Sequence, residues 1–327
     1  MSNLTTAYHK SQVIPANAGM TSGEAGSAAL QPLTRLSDAQ REQAMASLAQ
    51  DGFVVLPGLL PEPLRLGALD AIDRLAAQTR ASDPAKRKSV KLANIVDRDP
   101  VFRALLTHEP AVQLAYDCFG PMFHLCQSNL VSRPRDAITG DSIGSSAWHA
   151  DGPRPRGFPQ VAGAVGLHYL KFGYFLTDLT HGTGSSLQVV RGSHLRPELD
   201  RKGADFDIAD YASELVQLDC PAGTVVAFNQ ALWHAAAPNQ SEIERKNCYV
   251  SYCPTWMRPL DRDLPAAGSL GGASAEERWL LGESLPAFIA GRIASRWWLP
   301  GSDDMARMNR FARDAERHRA IQVADYD

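Results

Sequence analysis

A chain of 327 residues with a formal net charge of −3 and an isoelectric point near 6.3 has no basic excess, which excludes nucleic acid and anionic membrane surfaces as expected partners. No apolar run of membrane length and no signal-type leader stands at the N-terminus, and the five cysteines contain no C-x-x-C pair. Their odd number suits a reduced interior better than a disulfide framework, so a cytoplasmic protein built as one large domain is expected.

In chain order, residues 1–36 are rich in Ala, Gly, Ser and Thr without a period and read as a flexible arm ahead of a single domain at 37–327. Ser37-Asp38 is a helix start, with the helix running to Leu48. Between 61 and 77 the residues Leu64, Leu66, Leu69, Ile72 and Leu75 fall at near-helical spacing. Asp99-Pro100 opens another helix, and 110–119 a further one. From about 122 to 256 short apolar segments alternate with Gly, Pro, Asn and Asp, as a β-sandwich or barrel requires. Residues 275–281, 287–298 and 304–320 look helical again, and no internal repeat is visible.

Within the strand-rich part, Trp148-His149-Ala150-Asp151-Gly152 and Leu232-Trp233-His234 carry the chemistry. Side chains at i and i+2 of an extended segment share a face, so His149 and Asp151 can converge on one ion while Ala150 turns away. His234 is the candidate third ligand, because it ends a run, Gly223-Thr224-Val225-Val226-Ala227-Phe228, with the content of a buried strand. Two neutral imidazoles and one carboxylate leave three adjacent metal positions open, the arrangement of non-haem Fe(II) oxygenases rather than of closed zinc sites.

Four segments, over roughly residues 51–252, together resemble the phytanoyl-CoA dioxygenase (PhyH) family of Fe(II)/2-oxoglutarate oxygenases. They are Asp51-Gly52-Phe53-Val54-Val55-Leu56-Pro57-Gly58, then Trp148-His149-Ala150-Asp151, then Gly184-Ser185-Ser186-Leu187-Gln188-Val189-Val190-Arg191-Gly192-Ser193-His194, and lastly Gly223 through Asn239-Gln240-Ser241 to Arg245. The third departs from the family in having Arg191 where proline is commoner. The resemblance implies a mainly β (α+β) fold, a cupin-like double-stranded β-helix or jelly roll, flanked by N- and C-terminal helices. It also implies bound Fe(II), 2-oxoglutarate as cosubstrate and O2, with ascorbate as reductant. Asp151 disfavours halogenation, since related halogenases replace that carboxylate with a small residue.

By the same resemblance Arg245, eleven residues after His234, clamps the far carboxylate of 2-oxoglutarate through two parallel donors. Without that spacing it would read as a surface residue of the charged stretch Glu242-Ile243-Glu244-Arg245-Lys246, with Lys246 its close rival. Tyr174 stands where relatives place an aromatic against the cosubstrate, and a core strand residue is the equal alternative. Gln127 and Asn129 fall on a strand that lines the pocket in relatives and ends at Arg133, which either binds an anion or pairs with Asp136. Lys91 reads as solvated or as reaching the cosubstrate, and Ala236 replaces a hydroxyl that some members carry.

The remaining histidines, His124, His168, His181 and His194, read as local hydrogen-bonding residues, and Trp148 and Trp233 as packing behind the ligands. Residues 134–146 form an expected lid, and Arg154 and Arg156 either face an acidic substrate or are solvated. Trp297-Trp298 is either a substrate wall or an oligomer contact. The expected activity is oxidation of a small-molecule metabolite of secondary metabolism, by hydroxylation, desaturation or cyclisation, in a monomer or homodimer. The competing readings are a jelly-roll metalloenzyme that does not use 2-oxoglutarate and a non-catalytic small-molecule binding protein.

Overall fold

Ser37 accepts the amide of Gln40 while the Gln40 side chain returns to the Ser37 amide, and this capping box opens helix α1, Asp38–Gln50. The computed structural model describes residues 35–83, 89–136, 148–151, 166–180, 187–196, 208–266, 268–283 and 310. Helix α2, Glu62–Ser82, starts at Pro61 and buries the small stripe Ala68, Ala71, Ile72 and Ala76. Asp99 caps α3, Pro100–Leu106, and α4, Glu109–Phe119, follows directly. α1 is tied to α4 by a buried two-pronged pair, Arg41 to Asp117 at 2.7 and 2.8 Å. Gln113 on α4 adds a clamp on both backbone groups of Leu36.

Among the described residues nine strands form two antiparallel sheets. The larger contains β1 (Phe53–Leu56), β7 (Thr224–Asn229), β4 (Leu170–Phe175), β9 (Arg245–Pro254), β3 (Phe123–Arg133) and β2 (Val90–Ala93), in that order. The smaller runs β6 (Leu215–Leu218), β5 (Leu187–Val190), β8 (His234–Ala236). Helices α1 to α4 cover one face of the large sheet, where Leu170, Phe172 and Tyr174 of β4 meet Cys248, Val250 and Tyr252 of β9 in a single apolar layer. The small sheet covers the other face, and Phe53, Val55, Phe175, Val189, Val226 and Phe228 fill the gap between the sheets. This is the expected jelly roll, and among the described residues it is an open one, its two sheets not closing into a barrel.

Side chains alternate between these faces with period two, so one irregularity decides what the inner face presents. In β3 the pairing with β9 shifts between Leu125 and Gln127, which makes Cys126 an extra residue. Phe123 and Leu125 before the bulge face the helices, and so does Leu130 after it. The change of parity turns Gln127 and Asn129 toward the small sheet.

The expected starts hold for α1 and α3 and α4 opens one residue early, while α1 runs two residues past Leu48 to Gln50 and α2 continues five residues past 77 to Ser82. A short helix α5, Ala275–Leu280, carries its own capping box from Ser274. The expected arm up to 34, most of the lid, and the helices expected at 287–298 and 304–320 lie outside the described residues, as do Arg154, Arg156, His181, Trp297 and Trp298. Among the described residues no helix is long and apolar enough to cross a membrane, and all five cysteines are free thiols.

Candidate metal centre

His149 and His234 are joined by a reciprocal backbone bridge, the His149 amide donating to the His234 carbonyl at 3.1 Å and the His234 amide to the His149 carbonyl at 2.8 Å. That pairing sets the two imidazoles side by side, ring centres 4.3 Å apart, on the mouth of the gap between the sheets. Asp151 follows two residues on, its Oδ1 3.6 Å from His149 Nε2 and its Oδ2 3.8 Å from His234 Nε2. One ligand atom from each of the three lies within 4.8 Å of the others.

The sequence placed His234 at the end of the strand containing Phe228. It instead follows a turn over 230–233 and opens β8 in the opposite sheet, against Val189 of β5. His149 lies in a single bridge rather than a strand. The turn is held by Ser193, whose hydroxyl accepts the Trp233 amide, and by the Val190 amide donating to the Trp233 carbonyl. Trp148, Ala150, Val190 and Trp233 pack together behind the ligands. Gly52 makes room for this corner: at φ +84° a Cβ there would lie 2.5 Å from His194 Nδ1 and 2.7 Å from the Leu232 side chain.

The protonation states suit a divalent cation. His234 is 4% exposed, and burial, outweighing the pull of Asp151, lowers its pKa to about 4, so the ring is neutral at pH 7. Its Nδ1 lies 2.9 Å from the Leu232 carbonyl, which can only accept, so the proton sits on Nδ1 and Nε2 is left bare for an ion. Burial works to raise the Asp151 pKa, but Lys171 and the two histidines hold it well below the usual carboxylate range. Two imidazole nitrogens and one carboxylate oxygen on one side of a common point form a donor set that would leave three positions open on a metal such as iron.

Arg245 is 3% exposed, and its Nη1 donates to the Ala237 carbonyl, three residues beyond His234. Burial lowers its pKa from the ordinary guanidinium value without removing its charge at neutral pH. Its rival Lys246 turns to the other face and pairs with Asp73 of α2 at 2.5 Å. Arg133, opposite Arg245 in the ladder, is engaged by Asp136 at 2.8 Å. Gln127 hydrogen-bonds Tyr169, and Asn129 lies opposite Tyr249 on the inner face. Lys91, exposed on the edge strand, pairs with Val131 and so shares that face.

Of its two expected roles, Tyr174 takes that of a core strand residue. Its ring is buried on the helical face, its hydroxyl donating to the Leu105 carbonyl at 3.2 Å beside His108, so the pleat turns it away from the metal ligands. The aromatic on the inner face at that level is Tyr249 of β9, which lies across Gly173. Lys171, which the sequence reading passed over, reaches Asp151 Oδ2 at 2.6 Å. The signal for it was present: in Leu170-Lys171-Phe172-Gly173-Tyr174-Phe175 a single cation interrupts a strand that is buried throughout. His124 and His194 hold the backbone carbonyls of Met257 and Ala49, local roles as expected.

Several solved structures share the fold. The non-heme alpha ketoglutarate dependent carbocyclase SnoK from nogalamycin biosynthesis is 21% identical, matching 69% of this chain and 87% of its own, with a TM-score of 0.51. EctD from S. alaskensis with bound Fe is 21% identical over 69% of this chain and 79% of its own, with a TM-score of 0.52. The epimerase SnoN in complex with Fe3+, alpha ketoglutarate and nogalamycin RO is 20% identical over 67% and 85%, with a TM-score of 0.51. No curated protein matches the sequence. The family model for phytanoyl-CoA dioxygenase matches residues 48–247, from the end of α1 into β9 and across all three candidate ligands, and the chain therefore belongs to the phytanoyl-CoA dioxygenase (PhyH) family.

Proposed function

We propose that the protein is an Fe(II)- and 2-oxoglutarate-dependent oxygenase that oxidises a small-molecule metabolite in natural-product biosynthesis. The convergence of His149, Asp151 and His234 within 4.8 Å carries this reading. Family membership supports it, as do fold neighbours whose names include an iron and alpha ketoglutarate complex and two enzymes of nogalamycin biosynthesis.

His149, Asp151 and His234 would hold the metal. When bound, Fe(II) supplies the redox centre at which 2-oxoglutarate is decarboxylated to succinate and CO2 while O2 oxidises the substrate. The chain's own residues do the positioning. His234 stays neutral and points Nε2 at the ion because its other nitrogen is spent on Leu232. Arg245, anchored at Ala237, lies on the order of 10 Å of strand from His234, the reach of a five-carbon diacid held by a metal at its other end. A buried guanidinium at that distance selects a second carboxylate and holds it through charge-assisted hydrogen bonds. The Phe228 ring packs edge-on against His234 and keeps water from that ligand, while the His149 side chain stays open to the mouth.

Incubation with Fe(II), ascorbate, O2 and 2-oxoglutarate should release succinate, slowly without the natural substrate and faster with it. Arg245→Ala should weaken 2-oxoglutarate binding roughly 10- to 100-fold, the loss expected for hydrogen bonds to a charged group. Metal-dependent turnover of a candidate substrate without succinate would point instead to a jelly-roll enzyme that does not consume 2-oxoglutarate.

A further inference from the structure

Lys171 is 9% exposed, and its ammonium lies between two rings, 5.4 Å from the centre of Phe228 and 5.0 Å from that of Tyr249. Both contacts are of the cation–π kind, and both fix where the charge sits. The Tyr249 ring can take its place only because residue 173 is glycine: a Cβ there would stand 3.0 Å from Tyr249 Cε1. The held ammonium meets a single oxygen of Asp151, Oδ2, at 2.6 Å. The other oxygen, Oδ1, is turned toward His149, while Oδ2, besides meeting Lys171, lies 3.8 Å from His234 Nε2. A lysine buried among apolar rings is costly to keep unless its charge is used, and here the whole arrangement is spent on one carboxylate oxygen.

We propose that Lys171 is a positioning residue that occupies Asp151 Oδ2 and so restricts Asp151 to one-oxygen ligation of the metal, keeping three adjacent coordination positions open. The proposal rests on the metal-centre reading above. Two open positions are needed to chelate the 1-carboxylate and 2-oxo group of 2-oxoglutarate, and a third for O2. A carboxylate free to rotate can give both oxygens to the ion and take one of the three. Lys171 thus acts on the cosubstrate through Asp151, without touching it, and Phe228, Tyr249 and Gly173 act through Lys171.

Lys171→Met keeps the length of the chain and removes the donor, and Lys171→Gln is a smaller neutral alternative should Met disturb the packing; near-ultraviolet circular dichroism checks the fold of each. Calorimetry with Mn(II), which does not turn over, followed by 2-oxoglutarate separates the two binding steps. Both variants should still bind Mn(II), while the Kd for 2-oxoglutarate rises ~10- to 100-fold, the usual effect of losing a partner that orients a ligand. Folded variants that bind 2-oxoglutarate like wild type overturn the proposal, and so do variants that lose Mn(II) and 2-oxoglutarate together, since Lys171 would then support the ligand set as a whole. Co(II) absorption without 2-oxoglutarate reads the ligation directly: altered d–d bands in the variants are expected, and unchanged bands would refute the role of Lys171. A wild-type protein that binds Mn(II) but not 2-oxoglutarate would refute the cosubstrate reading, while the Co(II) spectra would still decide the part played by Lys171.

Discussion

Lys171 and Tyr174 stand three residues apart on one strand and face opposite ways, which gives them different expected sensitivities. Tyr174→Phe removes a hydroxyl that donates to the Leu105 carbonyl, so it should cost about 1 kcal/mol of stability. It should leave the affinity for 2-oxoglutarate at the wild-type level. Arg245→Ala should bring a large loss of cosubstrate affinity, on top of the stability lost with its bond to the Ala237 carbonyl. Calorimetric titration and urea melts of both variants would check the pair, and a Tyr174→Phe protein with impaired 2-oxoglutarate binding would contradict the face assigned to that ring. The candidate ligands stood out in the sequence because two imidazoles and a carboxylate at such spacing are an uncommon donor set, and the structure brings the three together. Tyr174 was left between two roles because aromatic content does not reveal which face a strand residue occupies. A slip of one position, from Gly173 to Tyr174, moves a side chain from the inner face to the helical core.

Helix starts announced by local signals were read correctly, while two features set by long-range pairing, the bulge in β3 and the separate strand β8, were not. Ser37 with Gln40, and Asp99 ahead of Pro100, state helix starts within a few residues of sequence. The bulge at Cys126 has no such local mark, because it exists only in the register of β3 against β9. The same holds for β8: Phe228 and His234 are six residues apart, but the turn between them carries the chain from one sheet to the other. Gly52 offers a test at this scale, since its absent side chain accommodates both His194 and Leu232, and Leu232 in turn sets the His234 ring. Gly52→Ala should destabilise by about 2–4 kcal/mol through left-handed strain and overpacking, and should weaken metal binding as well. Gly192→Ala is the matched comparison, with φ +69° and its nearest contact an ordinary 3.7 Å, and should cost only about 1 kcal/mol without touching the metal site. Thermal melts with and without Mn(II) would separate the two.

For the molecule as a whole, buried neutral histidine makes stability depend on pH. His108 lies under α4, 3.2 Å from the Leu59 carbonyl and against the Tyr174 ring, and burial lowers its pKa to about 4. The unfolded chain, with an ordinary histidine pKa near 6.5, binds a proton that the folded chain refuses between those two values. Stability should therefore be full above pH 6.5 and fall by about 1.4 kcal/mol per pH unit for this one residue as the pH drops toward 4. Urea melts of the metal-free protein and of His108→Gln at pH 6.5 and 5 should differ in slope by that amount; equal slopes would mean that His108 is charged in the folded state. The large-scale architecture follows from the same division of faces: helices on one side of the six-stranded sheet, and on the other a gap wide enough at its mouth for His149, Asp151 and His234 to meet. If these three hold an Fe(II) that 2-oxoglutarate chelates, anaerobic addition of both to the apoprotein must raise a visible metal-to-ligand charge-transfer band. That band should saturate near about one cosubstrate per chain and be absent in His234→Ala, whereas wild-type protein that binds Fe(II) and gives no band with 2-oxoglutarate would contradict the assignment of the centre.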